Sequence, residues 1–176
     1  METTNSSDRR LLTGQFSDRE SAERAYGSLS SRGYTHDDVH LMMSEDAKKR
    51  HFADHKDTEL GNKALEGAGT GSAIGGTVGA IVGAVAAIGT AIAIPGLGLV
   101  IAGPLAAGLA GAGAGGLTGG IVGALIGAGI PEERAKVYEQ GIKDGHIVMG
   151  VRTRNDEDAE YLENEWRNYN GKEIYR

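Results

Sequence analysis

The chain has no cysteine among its 176 residues. That excludes a disulfide framework and thiol chemistry, and it suits a reducing compartment. It also lacks any basic run with interleaved aromatics, and its 18 Lys/Arg against 24 Asp/Glu leave a formal net charge of −6. That balance argues against nucleic acid as a partner. The opening residues Met1 to Asp8 are polar and lack the apolar core of a signal peptide, so both ends are expected on the cytoplasmic side. No Walker lysine follows a glycine run, and no serine or cysteine stands in a nucleophile motif beside His36, His40 or His146. The expectation is a non-enzyme with no catalytic, cofactor-binding or metal residues, no cofactor and no small-molecule substrate.

The largest absence is charge itself. From Gly67 to Pro131 there is no charged residue; Gly, Ala, Ile, Leu, Val and Thr make up nearly all of the tract. Within it Gly67, Gly71, Gly75, Gly79 and Gly83 recur every fourth residue, and Gly111, Gly115, Gly119, Gly123 and Gly127 repeat the pattern beyond Pro95-Gly96. Residues i and i+4 share a helix face, so each run lays a glycine stripe along a helix. A stripe without side chains lets another backbone come close, the small-xxx-small logic of helix pairing. The tract therefore reads as a glycine-zipper hairpin of two helices over 67–130. Glycine costs about 1 kcal/mol per residue relative to alanine in an aqueous helix, so these helices need lipid or burial in an oligomer.

Residues 67 to 94 give a helix of about 42 Å and residues 105 to 130 one of about 39 Å, at 1.5 Å per residue. Either exceeds a hydrocarbon core of about 30 Å. The turn from Ile94 to Pro104 is as apolar as the arms, which suits a tip held inside a bilayer or packed against other copies better than one in water.

Outside the tract the chain looks ordinary. Residues 1–10 read as a disordered tail. Leu12, Gly14 and Phe16 alternate with polar neighbours as a strand with one buried face. Ser17 with Glu20 reads as a capping box, opening a helix with Ala22, Ala25, Tyr26 and Leu29 on one face and Gly33 at its end. Val39, Leu41 and Met43 alternate as a second strand, closing the half-domain 11–44. Residues 45–66 form a charged, partly helical connector. In 131–176, Pro131 suits a helix N1 position with Glu132 and Glu133 in the first turn. Ala135, Tyr138 and Ile142 share a face, and Gly145 ends the helix. Ile147, Met149 and Val151 alternate as a third strand. Asn155 caps a helix carrying Ala159, Leu162 and Trp166, which ends near Gly171. Residues 172–176 suit a short fourth strand. The order β-α-β and α-β-α-β predicts an α+β fold, a ferredoxin-like four-stranded antiparallel sandwich with helices on one face and the zipper hairpin inserted. None of these apolar faces calls for the zipper, so the outer parts are expected to fold without it.

Three smaller patterns carry less. His51 and His55 stand at i, i+4, but Phe52 occupies the place where a metalloprotease motif needs glutamate; a solvated helix face explains the pair. Gly111 to Gly116 fits GxGxxG formally, inside a period-four stripe and without the strand that a dinucleotide site needs. Trp166 with Tyr161 and Tyr169 could form an aromatic surface, although its spacing from Leu162 and Ala159 marks Trp166 as core.

The flanks resemble a known group. Thr13 to Glu23, Gly33-Tyr34 and Asp37-Asp38-Val39 form one part of the likeness. Ile130 to Glu133 with Tyr138 to Gly141 and Gly145 form a second, and Ile147 to Val151 with Glu157 and Ala159 a third. Together they resemble the bacterial heat-induced general stress protein (YflT-like) domain over about half of the chain. The resemblance implies a small stress-linked α+β domain without established enzymatic activity and brings no catalytic residues. Two functions follow as expectations. One is a stress-linked protein of the cytoplasmic membrane that self-assembles as a homo-oligomer through its zipper helices in the lipid bilayer. The other is a soluble homo-oligomeric ring, shell or filament whose hairpins bury one another.

Overall fold

The computed structural model describes residues 11–52, 92–94, 98–103, 106, 119–127 and 129–176. They form an α+β fold. The elements are β1 (Leu11–Phe16), α1 (Arg19–Ser31), β2 (Val39–Ser44), α2 (Glu45–Phe52), β3 (Ile92–Ile94), β4 (Leu99–Ala102), α3 (Gly120–Gly127), α4 (Glu132–Lys143), β5 (Ile147–Arg152), α5 (Asp156–Asn168) and β6 (Lys172–Tyr175). The strands make one sheet of order β3-β4-β2-β5-β1-β6, with every pairing antiparallel. The sheet therefore has six strands where four were expected.

Both sheet faces are covered. On one, α1 and α5 bring Ala22, Ala25, Leu29, Leu162 and Trp166 against Leu12, Phe16, Leu41, Met149 and Val151. On the other, α3 and α4 bring Ile121, Leu125, Tyr138 and Ile142 against Met42, Leu99, Ile101 and Val148. This corrects the expectation of helices on one face and of a half-exposed β1. Thr13 and Gln15, read as the solvent side of β1, are 1% and 7% exposed because α4 lies over them. The run Val-His-Leu-Met-Met in β2 is apolar almost throughout, the pattern of a strand buried on both sides.

The helix ends follow local chemistry. The N-cap of α1 is Asp18, not Ser17: its carboxylate accepts the Ser21 N–H at 2.8 Å. Glu20 is thereby freed from a capping box and pairs with Arg24. Asn155 caps α5 as expected, accepting from the Asp158 N–H at 2.7 Å. Pro131 stands one place earlier than N1, as the N-cap of α4. At the C-terminus of α4, His146 N–H donates to Gly141 O at 2.8 Å and Gly145 N–H to Ile142 O at 3.1 Å. That double bond pattern is a Schellman motif; the same pair closes α1 around Gly33 and α5 around Asn170.

Tyr138 locks α4 to the sheet. Its hydroxyl, fully buried, donates to the Glu173 carbonyl at 2.6 Å and lies 2.9 Å from Thr13 Oγ1. Burial pushes this phenol up to about 12. Glu173 itself sits at φ 50 in the edge strand β6, so Tyr138 holds a strained residue in place. Tyr138→Phe removes this bond and leaves the buried Thr13 hydroxyl without it, and is expected to cost about 1 kcal/mol, read as a lower urea midpoint at unchanged slope.

Candidate functional site

The segment from 92 to 103 departs furthest from expectation. A helix was predicted through 94 and an apolar tip over 94–104. Instead β3 and β4 form a hairpin, with Ile94 opposite Leu99, and β4 pairs with β2, Leu41 opposite Ala102 and Ser44 opposite Leu99. Leu99, Val100, Ile101 and Ala102 are all buried. The local reason is readable in retrospect: two short runs rich in β-branched residues flank Pro95-Gly96, and that spacing signals a hairpin. Gly98 turns the chain at φ +57, and its carbonyl accepts the Glu45 N–H at 2.7 Å, tying the hairpin to the start of α2. Gly103, at φ +94, leaves the sheet so close to β2 that a Cβ would collide with the Val39 carbonyl oxygen. Ile94 and Leu99–Ala102, read as part of a remote tip, thus belong to the sheet.

Of the ten glycines assigned to helix packing, Gly67, Gly71, Gly75, Gly79, Gly83, Gly111 and Gly115 lie outside the described residues, as do His55 and the whole of Gly111 to Gly116. Gly119, Gly123 and Gly127 are described. Gly119 is an exposed turn residue ahead of α3, Gly123 is half-buried and Gly127 is exposed. Ile121, Ala124 and Leu125 instead face the core, with Ala124 and Leu125 fully buried. The end of the second stripe therefore faces away from the core, beside Ile126, which is 44% exposed. Among the described residues no helix is long and apolar enough to cross a membrane.

The polar chemistry concentrates elsewhere. Tyr34 OH donates to Asp158 Oδ2 at 2.8 Å and accepts the Arg154 N–H at 2.9 Å. The Arg154 guanidinium lies 4.2 Å over the Tyr34 ring, and Arg32 sits 4.2 Å over Tyr161 while reaching Asp158 and Glu157 at 3.3 Å. Burial first, with help from Asp158, raises the Tyr34 phenol against the Arg154 backbone bond. This network joins the end of α1 to the start of α5, and its groups are spent on that docking. Nothing in the spacing of Tyr34, Arg154 and Asp158 announced it, because the partners are 120 and 124 residues apart.

A second polar set lies under α4. His40, on β2 opposite Gly150, is 3% exposed, and both its ring nitrogens are without a partner among the described residues. Burial, then the Arg152 charge, pushes this imidazole down to about 4, against Asp38. Gln15 crowds Gly141 so closely that a Cβ there would collide with its amide oxygen; this makes Gly141 a packing residue. His51 lies on α2 and its carbonyl accepts from Arg19 at 3.0 Å. No group of three His, Cys, Asp or Glu able to hold a metal occurs among the described residues. Trp166 is fully buried, edge-on to Phe16 at 5.7 Å. That leaves Tyr161 and Tyr169 on a shallow groove of about 430 Å³ with Arg24, Ser28 and Ser31.

Comparison of the chain with family models, curated proteins and solved structures returns no match.

Proposed function

We propose that the protein is a non-enzymatic, stress-linked homo-oligomer whose α+β domain carries a glycine-rich segment for self-assembly in the cytoplasm. The supporting observation is the outward stripe of α3: Gly123, Ile126 and Gly127 are not consumed by the core and continue the period-four pattern of an uncharged tract. Small residues on an exposed apolar helix face favour close approach of another helix. The domain reading rests on strand order. Without the β3-β4 hairpin, the order β2-β5-β1-β6 is that of a ferredoxin-like β-α-β-β-α-β sandwich, with residues 45–146, α4 among them, inserted after its second strand. That arrangement agrees with the resemblance to the heat-induced general stress protein domain.

A second reading, with the tract in lipid and the domain at the membrane face, is favoured by the absence of charge from Gly67 to Pro131. The β2-β4 pairing weighs against its simplest form. A tip paired to the sheet does not lie across a hydrocarbon layer of about 30 Å.

Fractionation of the expressed protein separates the two. Self-assembly predicts a supernatant particle of mass well above one chain, without detergent. Gly127→Leu is expected to lower that mass, whereas Val137→Leu, at an exposed site off the stripe, leaves it unchanged. A monomer in the supernatant overturns self-assembly. Retention in a carbonate-washed pellet, with release only by detergent, turns the assignment to the bilayer.

A further inference from the structure

We propose that Asn170-Gly171 is a self-modification site, at which the chain converts its own asparagine to aspartate or isoaspartate when the C-terminal cap of α5 opens. It is the single Asn-Gly step in the sequence. The reaction takes no co-reactant but solvent water. The Gly171 backbone nitrogen gives its proton to hydroxide and bonds to the side-chain carbonyl carbon of Asn170. The bond from that carbon to the amide nitrogen breaks, and ammonia leaves. Water then adds to one of the two carbonyls of the five-membered imide and opens the ring. Opening on one side leaves an ordinary aspartate at 170. Opening on the other leaves isoaspartate, in which the main chain runs through the former side chain and is one methylene longer. A residue with a side chain at 171 would crowd the ring, and glycine does not.

The fold restrains the reacting pair. Asn170 is exposed and stands at φ 58 just past the end of α5, the position at which a left-handed residue closes a helix. Gly171 follows it and donates its N–H to the Trp166 carbonyl at 2.7 Å. That bond keeps the proton on the nitrogen that must lose it and fixes the peptide plane that must turn. Gly171 is also packed: a Cβ there would stand 2.6 Å from the Trp166 carbonyl oxygen and 3.0 Å from Phe16 Cε1. The plane has little room to turn while α5 stays docked on Phe16. Helix ends open at lower cost than whole domains, so the native chain reacts through the opened cap and does so slowly.

The consequence falls on β6, which starts at Lys172. The strand is held by the bond from Tyr138 to the Glu173 carbonyl and by Arg134 against the Glu173 carboxylate at 2.8 Å. A longer main chain at 170 moves Lys172 out of register with Gln15. Either product also sets a carboxylate at the negative end of α5, where the helix dipole disfavours it. The modification therefore loosens this edge of the sheet.

Ageing the full-length protein at mildly alkaline pH tests the site. After trypsin, the peptide 168–172 is expected to appear as an amide form and two acidic forms, separated by chromatography and identified by mass. Conversion should be roughly tenfold slower in the native chain than in the same chain held in guanidinium. Asn155, Asn164 and Asn168 should remain amides over the same period. Asn170→Gln, whose longer side chain needs a six-membered ring, should abolish the conversion in both states. No conversion at 170 in guanidinium, or conversion at Asn164 or Asn168 as fast as at 170, overturns the site. Equal rates in the native and denatured chains overturn the restraint by the cap. Hydrogen exchange over 172–175 in aged against fresh protein reads the consequence: faster exchange supports a loosened β6, and identical exchange rejects it.

Discussion

Joining residues 11–44 to 131–176 through a short Gly/Ser linker is expected to give a chain that does not melt cooperatively. The deletion removes Leu99, Ile101, Ala106, Ile121, Ala124, Leu125 and Ile130 from the second core cluster, leaving Met42, Ala135, Tyr138, Ile142 and Val148 on that face. Five of those lost are large, and at about 1.5–3 kcal/mol for each buried side chain their loss is roughly 8–15 kcal/mol. A whole domain is stable by about 5–15 kcal/mol. Shortening the connection returns only about 2 kcal/mol of loop entropy, so burial decides. Keeping 11–52 and 92–176, with a linker across 53–91, restores β3, β4 and α3 and is expected to restore a single transition. Denaturant unfolding followed by circular dichroism measures both. A cooperative transition of parental stability in the shorter chain would show that the second cluster is dispensable.

This prediction is the opposite of the expectation that the flanks fold alone, and the reason lies in what local patterns can report. Caps and amphipathic faces were legible: Asn155, the Ala22-Ala25-Tyr26-Leu29 face, the alternation of Ile147, Met149 and Val151, and the glycine stop at Gly145 all stand where the residues place them. Each depends on neighbours within four or five positions. The second face of the sheet depends on pairings such as Met42 with Ile101 and Met42 with Val148, which no local period encodes. Composition also masked the hairpin. Inside a tract of Gly, Ala and β-branched residues, a helix with a Pro/Gly break and two short strands around a turn read alike, and tertiary pairing decides between them. The candidate site was legible in the stripe that carries Gly123 and Gly127 but not in the direction that stripe faces, because α4 and not the glycines determines which side of α3 is buried.

Lowering the pH from 7 toward 4 is expected to remove about 3 kcal/mol of stability through His40 alone. The side chain sits on β2 between the sheet and its covering layer, 3% exposed. It lies beside Gly150, whose missing Cβ would stand 3.6 Å from the imidazole Cδ2. Neither ring nitrogen has a partner among the described residues. Burial disfavours the imidazolium, Arg152 adds like-charge repulsion and Asp38 opposes both weakly, so the folded-state value falls from 6.5 to about 4. The unfolded chain then binds the proton more readily than the folded one, and stability rises with pH between those values. It is fully present above about 6.5 and lost progressively as pH falls to about 4, where both states are protonated; 2.5 pH units at 1.36 kcal/mol each give the figure. His40→Leu removes the titrating group and should flatten that part of the pH profile, leaving the variant more stable than the parent at pH 4.5 although not at pH 7.5. Urea midpoints across this range measure it, with the nuclear magnetic resonance titration of the His40 ring as a direct check. A ring that titrates near 6.5 in the folded protein, or a parent whose pH profile His40→Leu leaves unchanged, would mean that the charged imidazole finds solvent or a partner without unfolding the sheet.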